Sequence, residues 1–421
     1  MHIVWKQRLL VLGIALIVAG FFTIDTLSIS SPLHASPLAL IGKAPHKKPA
    51  IQTNCPSPAR AAVRGPVKEG RRQNLLYTYN TSSDGFLLRY DIRSGKKTTI
   101  LNLNNATISD ARISPDGHFV SFVTQVNGQL AIQMVGVDGQ SLQTLYCVPH
   151  NTAPINFIDD LLWSPDQQHL LFRVPNPAKE RMTPLLQILD LAHGSLHTIF
   201  TPSGNVGYIP LAWPVANQVY MQGYSLNASD TVAPHDVYVL NVSRKRIKHV
   251  ASITGYDWDM SLTPDGNQLL LGQGAALPPQ GQPQPPSLIS TQAISGGNLQ
   301  VIYASHVYAV TQICAISSKT LLFVLGGRFA SGARDGLWKI NTDGSGLTHL
   351  TRDGKLLSDQ HTLRSTISRD GRMYAVASYN ATADDKGQTL VLYGALGGGR
   401  TTVVDRTDAG NNPEIVGWTT V

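Results

Sequence analysis

Charge and cysteine are both scarce in this chain, and each scarcity excludes something. Only 14% of its 421 residues are Asp, Glu, Lys or Arg, and its three cysteines stand apart at 55, 147 and 314. Single scattered cysteines supply neither a paired Cys-x-x-Cys zinc site nor a disulfide-dense scaffold. No His-Glu-x-x-His occurs, which removes the helical zinc-hydrolase pattern, and no Gly-x-Ser-x-Gly elbow is there to carry a serine nucleophile. The nearest run, Asp343-Gly344-Ser345-Gly346, reads as a turn between strands.

The net excess of positive charge is concentrated in one place. Residues 31–73 carry Lys43, Lys47, Lys48, Arg60, Arg64, Lys68, Arg71 and Arg72 against Glu69 alone, a net of +7. Lys6 and Arg8 against Asp25 add +1, so the remainder sums to about −1 of the chain's total of +7. A nearly neutral folded part with scattered charges excludes a nucleic-acid groove. Repeated proline and the lack of any alternating pattern make 31–73 a disordered basic linker. Beside an anchor, such a tether suits anionic headgroups or an anionic wall polymer as well as it suits a plain spacer.

Ahead of the linker, residues 1–30 form a targeting segment. The uncharged run 9–24 is sixteen residues long, slightly short for a bilayer span of about 20 and slightly long for a signal-peptide core. An uncleaved transmembrane signal anchor is the preferred reading and a cleaved signal peptide the alternative. Basic residues before the run keep the tip cytoplasmic. Either way the main domain is extracytoplasmic, membrane-anchored in the first case and secreted or periplasmic in the second.

From residue 74 to residue 421 one unit recurs about every fifty residues. Ile113-Ser114-Pro115-Asp116-Gly117 leads into an apolar run, as do Trp163-Ser164-Pro165-Asp166, Leu262-Thr263-Pro264-Asp265-Gly266 and Ile367-Ser368-Arg369-Asp370-Gly371. Degraded copies stand at Trp213-Pro214 and Ile316-Ser317-Ser318. Proline presets the first turn position, Asp accepts local backbone hydrogen bonds, and Gly tolerates positive φ. Each unit is therefore a hairpin, and a fixed period built of hairpins predicts a propeller. Pre-turn strands are expected near 110, 160, 210, 259, 312, 363 and 415, and post-turn strands over 75–79, 119–123, 170–174, 219–224, 269–272, 321–325 and 374–379. Two further strands per interval give an all-β, seven-bladed β-propeller, with six blades as runner-up because the first interval is short and the fifth is interrupted by 274–283. The two series are offset, so the last strand, 414–421, is expected to pair with the first and close the ring.

These units resemble the TolB-like propeller repeats, relatives of the WD-type, in their aromatic or aliphatic residue, Ser-Pro-Asp-Gly and apolar strand. The closing strand pair of that pattern is matched best by 337–351. The resemblance implies a propeller over 74–421 and, by analogy with TolB-like proteins, work in envelope protein assemblies. The same propeller type also caps prolyl oligopeptidase-like hydrolases, but the missing elbow motif and the absence of further residues for a hydrolase domain point to a non-hydrolase member.

Two groups of candidate site residues follow. Asp110, Asp160 and Asp259 each stand four residues before the Ser or Thr of a turn, at one level of the innermost strands. Converging on a channel they would suit Ca²⁺, yet the equivalent positions elsewhere are Pro210, Ile313, Arg364 and Ile415, so the preferred reading is that each caps backbone N–H groups of its own or a neighbouring blade, with no cofactor. The turn acids Asp116, Asp166, Asp265 and Asp370 are structural on the same grounds. Loops joining successive blades carry Asn151, Tyr208, Tyr256, His306, Tyr308 and His361, and Tyr208, Tyr256, His306, Tyr308 and His361 are assigned to a ligand or partner face, with packing between blades as the alternative. The expected function is a non-enzymatic, membrane-tethered extracytoplasmic scaffold that binds a protein, peptide or glycan of the cell envelope. The alternative is a metal-dependent propeller hydrolase or lactonase acting on a small molecule in the channel. With few cysteines, the closed ring is expected to supply stability without disulfides, and no bridge is expected between Cys147 and Cys314.

Overall fold

A computed structural model of the chain describes residues 72–126, 129–148, 157–176, 184–202, 206–225, 235–253, 256–274, 285–327, 336–351, 356–357, 366–379, 389–408 and 413–421. The anchor and all of the linker before residue 72 lie outside them. Among the described residues no helix is long and apolar enough to cross a membrane. The strands form seven four-stranded antiparallel sheets, and these are the seven blades of a β-propeller.

The repeat places the strands well. The second strands of the blades are Asn74–Asn80, Phe119–Val126, His169–Val174, Gln218–Ser225, Gln268–Gly274, Thr320–Gly327 and Met373–Tyr379. The innermost strands, in the same order, are Glu414–Thr419, Ile108–Ile113, Asp159–Trp163, Val206–Val215, Tyr256–Leu262, Tyr308–Ala315 and Leu356–Leu357. The strand expected near residue 363 falls outside the described residues, and Leu356–Leu357, pairing with Ser378 and Ala377, takes the innermost place in blade 7. Blade 5 completes itself with Ser287–Ala293 and Gln300–Ser305, two strands not singled out in the sequence.

The turns work as their residues dictate, with the hydroxyl as the hub. Ser114 Oγ lies 2.5 Å from Asp116 Oδ1 and accepts the amides of His118 and Phe119 at 3.2 and 3.0 Å. The same arrangement recurs at Ser164–Asp166, Thr263–Asp265 and Ser368–Asp370. Gly117 takes φ +79°, and Gln167 occupies the matching position of the next blade at φ +61°. In blade 7, where Arg369 replaces proline, its Nη1 donates to Pro115 O of blade 2 at 3.0 Å, linking the turns on either side of blade 1.

Apolar cores lie between blades. One joins Leu145, Val148, Leu170 and Phe172, and another joins Leu270, Val310, Ile313 and Phe323. Burying such a side chain contributes about 1.5–3 kcal/mol. Outermost strands are protected differently: six of the seven third-to-outermost pairings carry a bulge, which twists an edge away from foreign strands.

The ring closes as expected, with Asn74 opposite Thr419 and Leu75 opposite Trp418. Cys314 is free and buried, whereas Cys147 is disulfide-bonded. The expected absence of a bridge between Cys147 and Cys314 holds, and Cys147 ends the outermost strand Gln143–Cys147 of its blade. Gly417, in the closing strand, adopts φ +144°, and a Cβ there would stand 2.6 Å from Ile113 Cγ2 of blade 2. Gly417→Ala combines a disfavoured backbone with a clash and is expected to destabilise the fold by about 2 kcal/mol or more. A urea titration in which this variant keeps the parent midpoint would show that the closing strand is not held at this register.

Candidate functional site

Innermost strands of successive blades are not paired with one another, so side chains must tie them. Asp110 Oδ2 accepts the amide of Leu161 in the next blade at 2.6 Å, and Asp259 Oδ2 accepts that of Ile313 at 2.8 Å. Ser261 Oγ accepts the amide of Ala315 at 3.1 Å, one blade on. Asp110 and Asp160 stand at φ +47° and +56°, inside bulges that free their amides from the sheet. Asp tolerates this left-handed region better than most residues do. The capping expected of these acids is thus the arrangement found at Asp110 and Asp259.

Asp160 is held by a cation. Arg173, from the second strand of the same blade, sets its Nε against Asp160 Oδ2 and forms a fork on Asp159, with Nε–Oδ1 and Nη2–Oδ2 both at 2.9 Å. Its Nη1 donates to Tyr224 OH of blade 4 at 3.2 Å. Arg112 Nη2 pairs with Asp110 Oδ1 at 2.5 Å. Asp159 begins its innermost strand and Tyr224 is the penultimate residue of its second strand. The cluster therefore sits at the end of the ring where one blade passes to the next. Arg112, Asp160 and Asp259 line a small cavity of about 70 Å³ in the channel, walled by Leu161, Leu211 and Met260.

Burial drives the titration of this cluster. The Asp159 carboxyl is held well above the usual carboxylate range by desolvation and the neighbouring Asp160, with Arg173 opposing. Desolvation also pushes Asp259 up to about 7, against the two backbone N–H groups that favour its ionised form. Burial raises the Tyr224 phenol, and Arg173 draws it back. A proton held by Asp159 brings Asp110, Asp159, Asp160, Arg112 and Arg173 to neutrality.

The three acids do not fit a hard cation that needs six to eight oxygens. Asp110 and Asp259 accept backbone amides, Asp160 faces Arg173, and among the described residues no group of three His, Cys, Asp or Glu side chains is placed to hold a metal. Sequence reasoning missed Asp159, Arg112, Arg173 and Tyr224. A signal existed in Arg173, a lone charge inside the apolar run of a second strand.

The expected partner face fares unevenly. Tyr208 lies within an innermost strand and is 7% exposed. It packs edge-on between Phe200 and Tyr238, with ring centroids at 5.1 and 5.3 Å. Its assignment to a surface loop is corrected, because the strand begins earlier than the turn spacing implies. Tyr308 opens the innermost strand of blade 6 and packs on the core shared with blade 5. His306 is exposed in the preceding turn. Tyr256 begins an innermost strand, and His361 lies outside the described residues.

The Asp259 carboxyl, at about 7 when folded and about 3.9 when unfolded, binds its proton more tightly in the fold. Its contribution is complete below pH ~4 and is lost as pH rises through 7, on the order of 1–4 kcal/mol. Asp259→Asn is expected to flatten the fall in stability between pH 4 and pH 7. Denaturant midpoints that decline equally in parent and variant would remove Asp259 as the source.

Neither a family model nor a curated protein matches the sequence. Solved structures do match. An acylaminoacyl peptidase is 14% identical, with 80% of this chain and 51% of that chain covered and a TM-score of 0.52. A prolyl endopeptidase is 10% identical, with 83% and 51% covered and a TM-score of 0.51. TolB from Acinetobacter baumannii is 15% identical over 66% of this chain and 62% of that one, with a TM-score of 0.43. The chain spans about half the length of the two peptidases. What this chain shares with the two peptidases is the fold.

Proposed function

We propose that this chain is a non-enzymatic binding propeller, held outside a membrane by residues 1–30 and recognising a protein, peptide or glycan at the end of the ring where one blade passes to the next. The observation that carries this reading is how the channel acids are used. Asp110 and Asp259 tie one blade to the next, and Asp159 and Asp160 are both ion-paired to Arg173. Groups committed to holding the ring are poorly placed to cycle through a reaction. A disulfide-bonded Cys147 supports an oxidising, extracytoplasmic setting, where such bonds persist.

Metal analysis of the purified chain, with thermal melts in the presence and absence of a chelator, separates this reading from a propeller hydrolase. A metal-free protein whose melt is unmoved by chelation is expected. One bound metal per chain and a loss of several degrees on chelation would replace the scaffold by the metal-dependent enzyme. The tether is tested separately by alkaline carbonate extraction of membranes. Retention of the chain in the pellet is expected, and full release into the supernatant would leave a cleaved, secreted form.

A further inference from the structure

The corner where blade 1 closes differs chemically from the same corner of its neighbours. In blades 2, 3, 5 and 7 a turn joins the innermost strand to the second, and its Asp faces its own Ser or Thr hydroxyl. In blade 1 those two strands are Glu414–Thr419 and Asn74–Asn80. They come from opposite parts of the chain, no turn joins them, and no turn acid occupies the corner.

An open cavity of about 600 Å³ lies there, with Arg72, Arg89, Arg93 and Lys96 in its lining and Asp91 as the single acidic side chain. Asp91 is already engaged: Oδ1 accepts the Arg93 amide at 2.9 Å and Oδ2 accepts Ser94 Oγ at 2.8 Å. Its only ion-pair neighbour among the described residues is Arg72, at 3.9 Å and largely exposed. Arg89 is half-buried, and its Nη1 donates to the main-chain oxygens of Val137 and Val421 at 3.3 and 3.4 Å. Among the described residues Arg89, Arg93 and Lys96 are in no ion pair. A concave surface carrying two guanidinium forks and an ammonium, with one committed carboxylate, is built to receive an anion with several oxygens.

We propose that this corner is an anion-binding pocket for a phosphate group. The guanidinium groups of Arg89 and Arg93 supply charge-assisted donors, and Lys96 acts as a point charge. Phosphate is favoured over a carboxylate because its oxygens are arranged tetrahedrally and can face three separate cationic heads from different directions, whereas the two oxygens of a carboxylate lie in one plane. Seven further basic residues precede Arg72 in the sequence from residue 31 on. The phosphate reaches it either as a lipid headgroup or as a free phosphate or phosphodiester. This inference stands whether or not the scaffold reading holds.

Calorimetric titration of the full chain with inorganic phosphate tests it. Saturable binding is expected, weakening with added salt and falling about tenfold in Arg89→Gln. Arg93→Gln/Lys96→Gln, at exposed positions that carry no fold contacts, is expected to give a similar fall with an unchanged melting temperature. Replacing Lys43, Lys47 and Lys48 by Gln is expected to leave phosphate affinity within about twofold, since none of them lines the pocket. Co-sedimentation with phosphatidylglycerol-containing vesicles, taken relative to pure phosphatidylcholine vesicles so that the anchor cancels, identifies the source. A preference that disappears in the pocket variants assigns a lipid headgroup, and phosphate binding without that preference assigns a free phosphate. Absence of saturable binding, or a loss that follows only the linker substitutions, overturns the pocket.

Discussion

Pairing between strands 340 residues apart is the constraint on which this fold depends. Glu414–Thr419 lies against Asn74–Asn80, and its side chains serve two cores at once. Val416 packs with the residues between blades 1 and 2, whereas Ile415 and Trp418 pack with those between blades 7 and 1. Trp418 Nε1 also donates to Thr366 O at 2.9 Å across the blade boundary. Without this strand, blade 1 would lose its innermost member and the edge of Asn74–Asn80 would stand unpaired. Bringing such distant segments together carries a loop-closure cost that grows only slowly with length, and the buried apolar surface of the closing strand outweighs it.

Ring closure also dictates what happens along each blade's radius. Toward the channel the innermost strands converge, and their unpaired amides must find acceptors. Asp110, Asp259 and Ser261 supply them one blade back, at offsets of 51 and 54 residues that follow the repeat. Carboxylates placed there for bonding bring charge into a desolvated space, and Arg112 and Arg173 answer it. Toward the rim no neighbour exists, so bulges break the ladder instead. The channel is therefore polar for structural reasons, which is why three aligned acids in a propeller are weak evidence for chemistry.

Much of this was legible in the sequence, because the signal for a hairpin is local. Ser-Pro-Asp-Gly states its turn through its own residues, and the count of seven and the closing offset follow from adding such turns. What escaped was set by contacts between blades or by segments without turn chemistry. The outer strands of blade 5 sit in Ser-Leu-Ile-Ser-Thr-Gln-Ala and Gln-Val-Ile-Tyr-Ala-Ser, stretches with no charge to mark an outer face. Tyr208 looked like a loop aromatic because the worn turn at Trp213-Pro214 hid how long its strand is. Arg173 and Asp159 meet through strand pairing, Asp159 opposite Arg173, a register that no single strand's residues reveal. Gln167 shows the opposite case, in which the sequence departs from the Gly of the motif and the turn keeps its left-handed geometry.

Closure leaves one blade unlike the rest, and that asymmetry is where a repeat protein gains a distinct surface. Six blades build their channel-side corners from a continuous chain, and the turn acids of four of them face their own hydroxyls. Blade 1 cannot, since its two inner strands meet only in the folded ring. Arg369 bridges from blade 7 to the blade 2 turn at Pro115, stitching across the interruption from one side. On the other side Arg89 turns its guanidinium to backbone oxygens of Val137 and Val421. At both places arginine reaches main-chain oxygens of blade 2 turns, at Pro115 and Val137, and Arg89 adds the oxygen of Val421 where the closing strand ends. Arg89 and Arg369 therefore tie blade 1 and blade 7 to blade 2 across the seam, in the place where the other blades are joined by a turn of their own.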